Sequence, residues 1–256
     1  MITFYKQIRE FHKAFGLVLR DKPDINVFKD AELCKLRYDL IKEEIGELND
    51  AINTKNFIEI IDALSDIMYV VYGCGASFGF DLYNSFLIMI DYINYSNKLD
   101  HYDIVKITHK KNNMYMKVYS NVFNNEEDCF QMKLYLKSMV KLLQELKKTI
   151  FLTENLLETE NILNKILLNV FLMGIHLEID LNKSYNIVHS SNMTKLCKNK
   201  KEAKITVKWY LDNEKRYDSP SYRKSDNGKD WIVYNKSSGK ILKSINYIPA
   251  NFDCMM

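Results

Sequence analysis

The feature that most restricts the fold is a pair of apolar runs at helical spacing. Leu33, Leu36, Leu40, Ile41, Ile45, Leu48 and Ile52 recur every three or four residues over 31 to 53. After a polar break at Asn53-Thr54-Lys55-Asn56, an almost wholly apolar stretch runs from Phe57 to Cys74. That periodicity predicts two amphipathic helices joined as an α-hairpin. The second is expected to stop near the Gly73-Cys74-Gly75 and Gly79 cluster, with Asp81 capping a third through Phe86 and Ile90. Upstream, Phe4, Ile8, Phe11 and Phe15 mark one more helix, ending at Gly16 before a Pro23 loop. With 3 prolines and 8 glycines in 256 residues, a β-sandwich or a doubly wound sheet lacks its turn residues, so the class is mainly α.

A weaker copy of the hairpin recurs about 98 to 99 residues later. Gly79-Phe-Asp-Leu-Tyr-Asn-Ser-Phe86 matches Glu178-Ile-Asp-Leu-Asn-Lys-Ser-Tyr185, and Leu48, Ile52, Glu59 and Tyr72 fall on Leu146, Ile150, Glu158 and Phe171. Asn94 to Leu99 looks like a shortened relative of Ser190 to Leu196, and a helix is expected around Tyr102 to Met114. After Leu196 the texture changes: Ile205 to Leu211, Trp231 to Asn235 and Lys240 to Asn246 read as short strands between Asp226-Asn227-Gly228 and Ser237-Ser238-Gly239 turns, a small C-terminal β-hairpin or meander. The expected division is a catalytic helical repeat at 1–95, a degenerate repeat at 96–196 and a basic, aromatic extension at 197–256. That extension holds 13 Lys and Arg against 7 Asp and Glu, a balance of +6 in a chain of net charge +3.

Five scattered cysteines without paired spacing argue against both a disulfide framework and a zinc knuckle. No run reaches the roughly 18 to 20 apolar residues of a membrane span, and the N-terminus lacks the core of a signal peptide. The expectation is a cytoplasmic protein with reduced thiols and no membrane partner.

The chemistry lies in the acids. Glu44 and Glu47 on the first helix, and Glu59 and Asp62 on the second, are spaced i, i+3, and Asp66 follows one turn on. A connection centred near Asn53 sets Glu47 level with Glu59 and Glu44 level with Asp62, roughly 9 to 14 Å from the turn. Four carboxylates then share one patch beside apolar stripes, where mutual repulsion calls for a cation. An all-oxygen set with no histidine in either helix suits Mg²⁺, or Mn²⁺, and disfavours zinc. Acidic pairs at this spacing are also common on solvated faces; the registration of two pairs across apolar helices favours a metal site.

Leu36-Arg-Tyr-Asp-Leu-Ile-Lys-Glu-Glu-Ile-Gly-Glu-Leu48 with Glu59-Ile-Ile-Asp-Ala-Leu-Ser-Asp66 resembles the MazG-like, all-α nucleoside triphosphate pyrophosphohydrolases. That superfamily includes the phosphoribosyl-ATP pyrophosphohydrolases and the dimeric dUTPases. Val188 to Leu196, Gly239 to Lys243, Tyr247 and Pro249 are similar to the end of the last core helix and the extension of the phosphoribosyl-ATP pyrophosphohydrolase-like branch. The resemblance covers 1 to 90 and 175 to 252 well and the middle poorly. It implies Mg²⁺-dependent cleavage between the α and β phosphates of a nucleoside triphosphate, with metal ligands at Glu44, Glu47, Glu59 and Asp62, Asp66 as ligand or helper, and nucleotide contacts at Asn192 and Lys195. Glu47 and Glu44 are the expected catalytic residues, with Glu47 as the base, although spacing does not separate a ligand from a base. Glu43 is read as a surface acid or a supporting partner.

Family members of simple build pair hairpins between subunits; here the later copy would supply the second half, giving a single-chain pseudo-dimer or a homodimer of such chains. In that copy Leu142, Asn161 and Lys165 replace Glu44, Asp62 and Asp66, while Glu145 and Glu158 persist, so one competent site is expected. Lys240 and Lys243 belong to a tail that either folds over the site as a lid or binds nucleic acid, the lid being favoured. His12 and His189 are read first as structural, and Tyr69, Tyr72, Phe78 and Phe80 as core rather than base-stacking. The alternatives are hydrolysis of phosphoribosyl-ATP, or a non-catalytic nucleotide sensor or nucleic-acid-binding protein.

Overall fold

The computed structural model describes residues 4–95 and 126–255, with side chains of 90–95 and 126–128 left out. The expected helix at Tyr102 to Met114, and most of the Asn94 to Leu99 segment, lie outside the described residues. Within them the chain is mainly α, closed by one small sheet.

Helix α1 (Phe4–Ala14) ends before Gly16, whose φ of +55° turns the chain out of the helix. Asp30 caps α2 (Ala31–Thr54) by accepting from the Leu33 amide. Asn56 does the same for α3 (Phe57–Phe78) through the Glu59 amide. The expected stop in the Gly73-Cys74-Gly75 and Gly79 cluster falls at its last glycine. The helix runs to Phe78 and ends on Gly79, in the left-handed region at φ +86°. Its internal glycines serve packing: a Cβ on Gly75 would lie 2.6 Å from the Leu82 side chain of α4 (Leu82–Tyr95). Asp81 caps α4 as expected, through the Asn84 amide.

The second hairpin is α5 (Glu126–Phe151) with α6 (Leu156–His176), followed by α7 (Leu181–Met193). Its local devices repeat those of the first about 99 residues on. Asn155 caps α6 through Glu158 as Asn56 caps α3 through Glu59. Glu154 and Lys55 both take positive φ in the connections, as do Glu178 and Gly79 at the helix ends. A Cβ on Gly174 would lie 2.6 Å from the Leu181 side chain, as one on Gly75 would from Leu82. Asp180 caps α7 as Asp81 caps α4.

Helix α3 is apolar on almost every side and occupies the centre, touching α1, α2, α6 and α7, while α2 also packs on α5. One apolar core runs through both hairpins, from Ile8 and Ile60 to Leu146 and Tyr185. Truncating a fully buried residue such as Leu64 would cost about 2 to 5 kcal/mol.

The expected strand at Ile205 to Leu211 is instead part of helix α8 (Lys200–Asn213). Asn199 accepts from the Glu202 amide while Glu202 reaches back to the Lys198 amide, and this reciprocal cap outweighs the β-branched composition. Ala203, Thr206 and Tyr210 then bury one face against the sheet. That sheet pairs β1 (Pro220–Lys224) antiparallel with β2 (Trp231–Asn235), Pro220 opposite Asn235 and Lys224 opposite Trp231. β1 was not foreseen. The Lys240 to Asn246 run adds only a bridge at Ile241 before crossing back over the helices. Ser191, Thr194 and Ala14 receive the extension through Tyr247, Ile248, Ser244 and Ser225.

Among the described residues no single helix is long and apolar enough to cross a membrane; α6 and α7 pass only as a pair bent by 116°. Among the described residues no disulfide is formed.

Candidate active site between the first hairpin and the C-terminal extension

A cavity of about 590 Å³ opens along the α2–α3 hairpin. One face of α3, stepping through Glu59, Asp62, Asp66, Val70 and Gly73, forms one wall; Glu47, Glu44, Leu40 and Arg37 of α2 form the next. Helix α1 supplies Ile8, Phe11 and His12, and the segment at the end of α7 supplies Asn192 and Lys195. The extension closes the remaining side with Lys240, Lys243 and Tyr247. Every residue expected in the site therefore lines one cavity.

The register differs from expectation. The turn centres on Lys55, with φ 54°, two residues beyond Asn53, which sets Glu44 level with Asp66 and Arg37 level with Gly73. The electrostatics follow that pairing: among the acids repelling Glu44, Asp66 comes first, then Glu47 and Glu43. Burial and this repulsion push the Glu44 carboxyl up to about 9. Asp66 rises to about 7, through burial first and Asp62 second, and Asp62 rises to about 6, through burial and then Glu59. Glu47, more open to solvent, is also raised. Burial lowers Lys195 to about 8, although Asp66 and Glu44 pull it upward.

These acids share one pocket. Among the described residues no three acidic, histidine or cysteine side chains stand close enough to cage an ion as they are. The donor chemistry nonetheless fits a hard divalent cation: oxygens only, with several groups held partly protonated for want of positive charge.

The cations divide their roles. Lys240 pairs with Glu43, which Arg216 also approaches at 3.8 Å, so Glu43 anchors the extension to α2. Lys243 and Lys195 both lie over the Tyr247 ring, at 4.7 and 6.0 Å from its centroid, and both act on Asp62 and Asp66. Tyr247 donates nothing to the acids. Its hydroxyl accepts from Ser191 at 2.8 Å. Asn192 is buried in the wall. Of the aromatic residues considered for stacking, Tyr69 lines the cavity, while Tyr72, Phe78 and Phe80 are core. His189 bonds the Tyr69 hydroxyl at 3.0 Å and faces Glu10 at 3.6 Å, away from the acids.

Sequence reasoning missed Arg37, and His12 as a lining residue. The signal was present for Arg37: with Leu40 and Glu44 it is spaced i, i+3, i+7, on the face that carries the acids.

In the second hairpin the corresponding positions hold no such set. Leu142 is buried, Asn161 and Lys165 are exposed, and Glu145 pairs with Lys141 at 3.9 Å.

Comparison with known proteins agrees with the geometry. The family model of phosphoribosyl-ATP pyrophosphohydrolase matches residues 8–89, the span of α1 to α4 that carries the acids. An uncharacterized protein, L479, of Acanthamoeba polyphaga mimivirus is 33% identical over 263 residues, covering 99% of this chain and 96% of its own. No solved structure matches. The acidic hairpin, the helices that frame it and the family match together make this chain a member of the phosphoribosyl-ATP pyrophosphohydrolase-like branch of the MazG-like, all-α superfamily, whose activity is hydrolysis of a phosphoric anhydride in a nucleotide.

Proposed function

We propose that the protein hydrolyses a nucleoside triphosphate between its α and β phosphates, releasing a nucleoside monophosphate and pyrophosphate. The observation that carries this reading is the meeting, in one cavity, of Glu44, Glu47, Glu59, Asp62 and Asp66 with Lys195 and Lys243, neither of which is in an ion pair among the described residues. Magnesium, or manganese, held by Glu44, Glu47, Glu59 and Asp62 with Asp66 at their side, would supply charge neutralisation for the phosphate oxygens and the departing pyrophosphate.

The chain's own groups account for the remaining steps. Lys195 and Lys243 bind the polyphosphate, and Tyr247 fixes the spacing between them. Asn192 orients a phosphate or the sugar from the α7 side. Glu47, the most open of the α2 acids and raised in pKa, takes the proton of the attacking water. A bond forms from that water oxygen to the α phosphorus, the bridging bond to the β phosphate breaks, and pyrophosphate leaves.

The second hairpin reads as a degenerate copy of the first that has lost the counterparts of Glu44, Asp62 and Asp66 and kept its packing, so one chain stands where simpler members need two. Lys240 and Lys243 face the cavity, which favours the lid reading of the extension over a nucleic-acid surface.

The test is pyrophosphate release from a panel of canonical and modified triphosphates and phosphoribosyl-ATP, with and without Mg²⁺. Release from at least one triphosphate, lowered at least about 100-fold by Glu44→Gln or Asp62→Asn in folded protein, is expected. Silence across the panel would remove the catalytic reading.

A further inference from the structure

The far end of the cavity, about 10 Å from the acids along either helix, holds a polar corner that the hydrolytic chemistry does not use. Arg37 is 4% exposed and His12 0%. The Arg37 Nε and Nη2 donors and the His12 Nε2 atom are buried with no hydrogen-bond partner among the described residues. Both side chains converge on α3 at Gly73, where an added Cβ would sit 3.3 Å from Arg37 Nη1 and 3.4 Å from His12 Nε2. A methyl there would press on the guanidinium by a few tenths of an ångström. Among the described residues no acid pairs with the guanidinium; burial lowers its pKa to about 10, against a small upward pull from Cys74. A charge and two donors sealed without acceptors are costly, and such a group in a cavity wall points to a ligand that completes it.

The chemistry of that ligand follows from His12. Its Nδ1 lies 2.8 Å from the Val18 carbonyl, which can only accept, so Nδ1 carries the proton. Burial first, then Arg37, hold the ring neutral, with a pKa of about 3. Nε2 is therefore a bare lone pair. A phosphate or carboxylate would meet that lone pair with more lone pairs. A neutral group carrying two adjacent acceptors for the Nε/Nη2 edge of Arg37 and a donor for His12 satisfies all three atoms.

We propose that Arg37 and His12 read the nucleobase, selecting an edge with two adjacent acceptors followed by a donor. Cytosine has this edge in O2, N3 and the N4 amino group, and guanine in N7, O6 and N1–H. Adenine's N1 and N3 point their lone pairs apart across C2–H, so the two cannot meet one guanidinium edge. Uracil places a donor between its two acceptors, against the Arg37 edge. The assignment rests on the triphosphate reading of the cavity, since the acids must hold the phosphates for the base to reach this corner.

Calorimetric titration of CMP, GMP, AMP and UMP into the protein with Mg²⁺ present separates the two claims, because it needs no turnover. CMP or GMP is expected to bind roughly 10- to 100-fold more tightly than AMP and UMP. Arg37→Met, similar in volume and free of the buried charge, is expected to abolish that preference while raising the melting temperature of the ligand-free protein. Gly73→Ala, which fills the corner and leaves Arg37 in place, is expected to weaken the favoured monophosphate as well. AMP or UMP binding as tightly as CMP and GMP, no binding of any of the four, or a preference that survives Arg37→Met would overturn the proposal. A clear preference without pyrophosphate release would remove the hydrolase reading alone. Equal release from all four triphosphates would remove base selection alone.

Discussion

At the scale of single residues, the acids of α2 and α3 are held against their own chemistry. Glu44, Asp62 and Asp66 all have folded-state pKa values above those of free carboxylates. A raised acid favours the fold fully below its unfolded value near 4, and that contribution is lost as pH rises through the folded value. His12, held low, opposes this only below about 6.5, and Lys195, lowered to about 8, opposes it only above that. Between about pH 6.5 and 8 the ion-free protein should therefore lose stability as pH rises. After discounting for the solvent these half-buried groups keep, the loss is about 1 to 2 kcal/mol. Added Mg²⁺ should reverse the trend, since it binds the ionised acids. Thermal melts across this window, with and without Mg²⁺, measure both slopes; a melting temperature that rises with pH in the absence of the ion contradicts the assignment.

At the scale of elements, glycines separate what backbone demands from what helix propensity prefers. Gly46 lies inside α2 with open space around it, so Gly46→Ala should stabilise by about 0.5 to 1 kcal/mol. Gly79 ends α3 at φ +86°, and a Cβ there would fall 2.0 Å from the Lys22 carbonyl oxygen. Gly79→Ala should destabilise by at least about 3 kcal/mol. Denaturant melts of the two variants check the opposite signs. The caps and apolar periods that define α1 to α4 were legible because each is local: Asp81, Asn56 and the Leu33 to Ile52 series act within a few residues. The cluster of glycines marked the end of α3 without saying which of them ends it: Gly73 and Gly75 look like stops, but tertiary packing against Arg37, His12 and Leu82 uses them inside the helix, and Gly79 makes the turn. Likewise, β-branched Ile205, Thr206 and Val207 suggested a strand, and the Asn199 and Glu202 cap made a helix.

At the scale of the whole molecule, the extension joins the bundle to the site. Lys240 reaches Glu43 of α2, and Lys243 shares Tyr247 with Lys195. The approach of Asn192 and Lys195 to the first hairpin followed from treating the later helices as a copy that completes it. The identities of the acids were legible from i, i+3 spacing, but their pairing was not, because a shift of the turn from Asn53 to Lys55 moves Glu44 from Asp62 to Asp66. Arg37 went unnoticed because a lone arginine on an amphipathic helix reads as solvated until the fold buries it. Lys243→Ala should lower kcat/KM by about 10-fold or more and leave the fold intact, since it removes a cation from the phosphates without opening the core. Steady-state kinetics beside a melting curve separate those effects.

The central claim is that α2 and α3 gather carboxylates to hold a hard ion against a polyphosphate. Calorimetric titration of Mg²⁺ into the protein together with a non-hydrolysable α,β-imido triphosphate addresses it most directly. Saturable uptake that Glu44→Gln and Asp62→Asn each abolish is the predicted result; no uptake by the wild-type protein, or uptake that both variants retain, would contradict it.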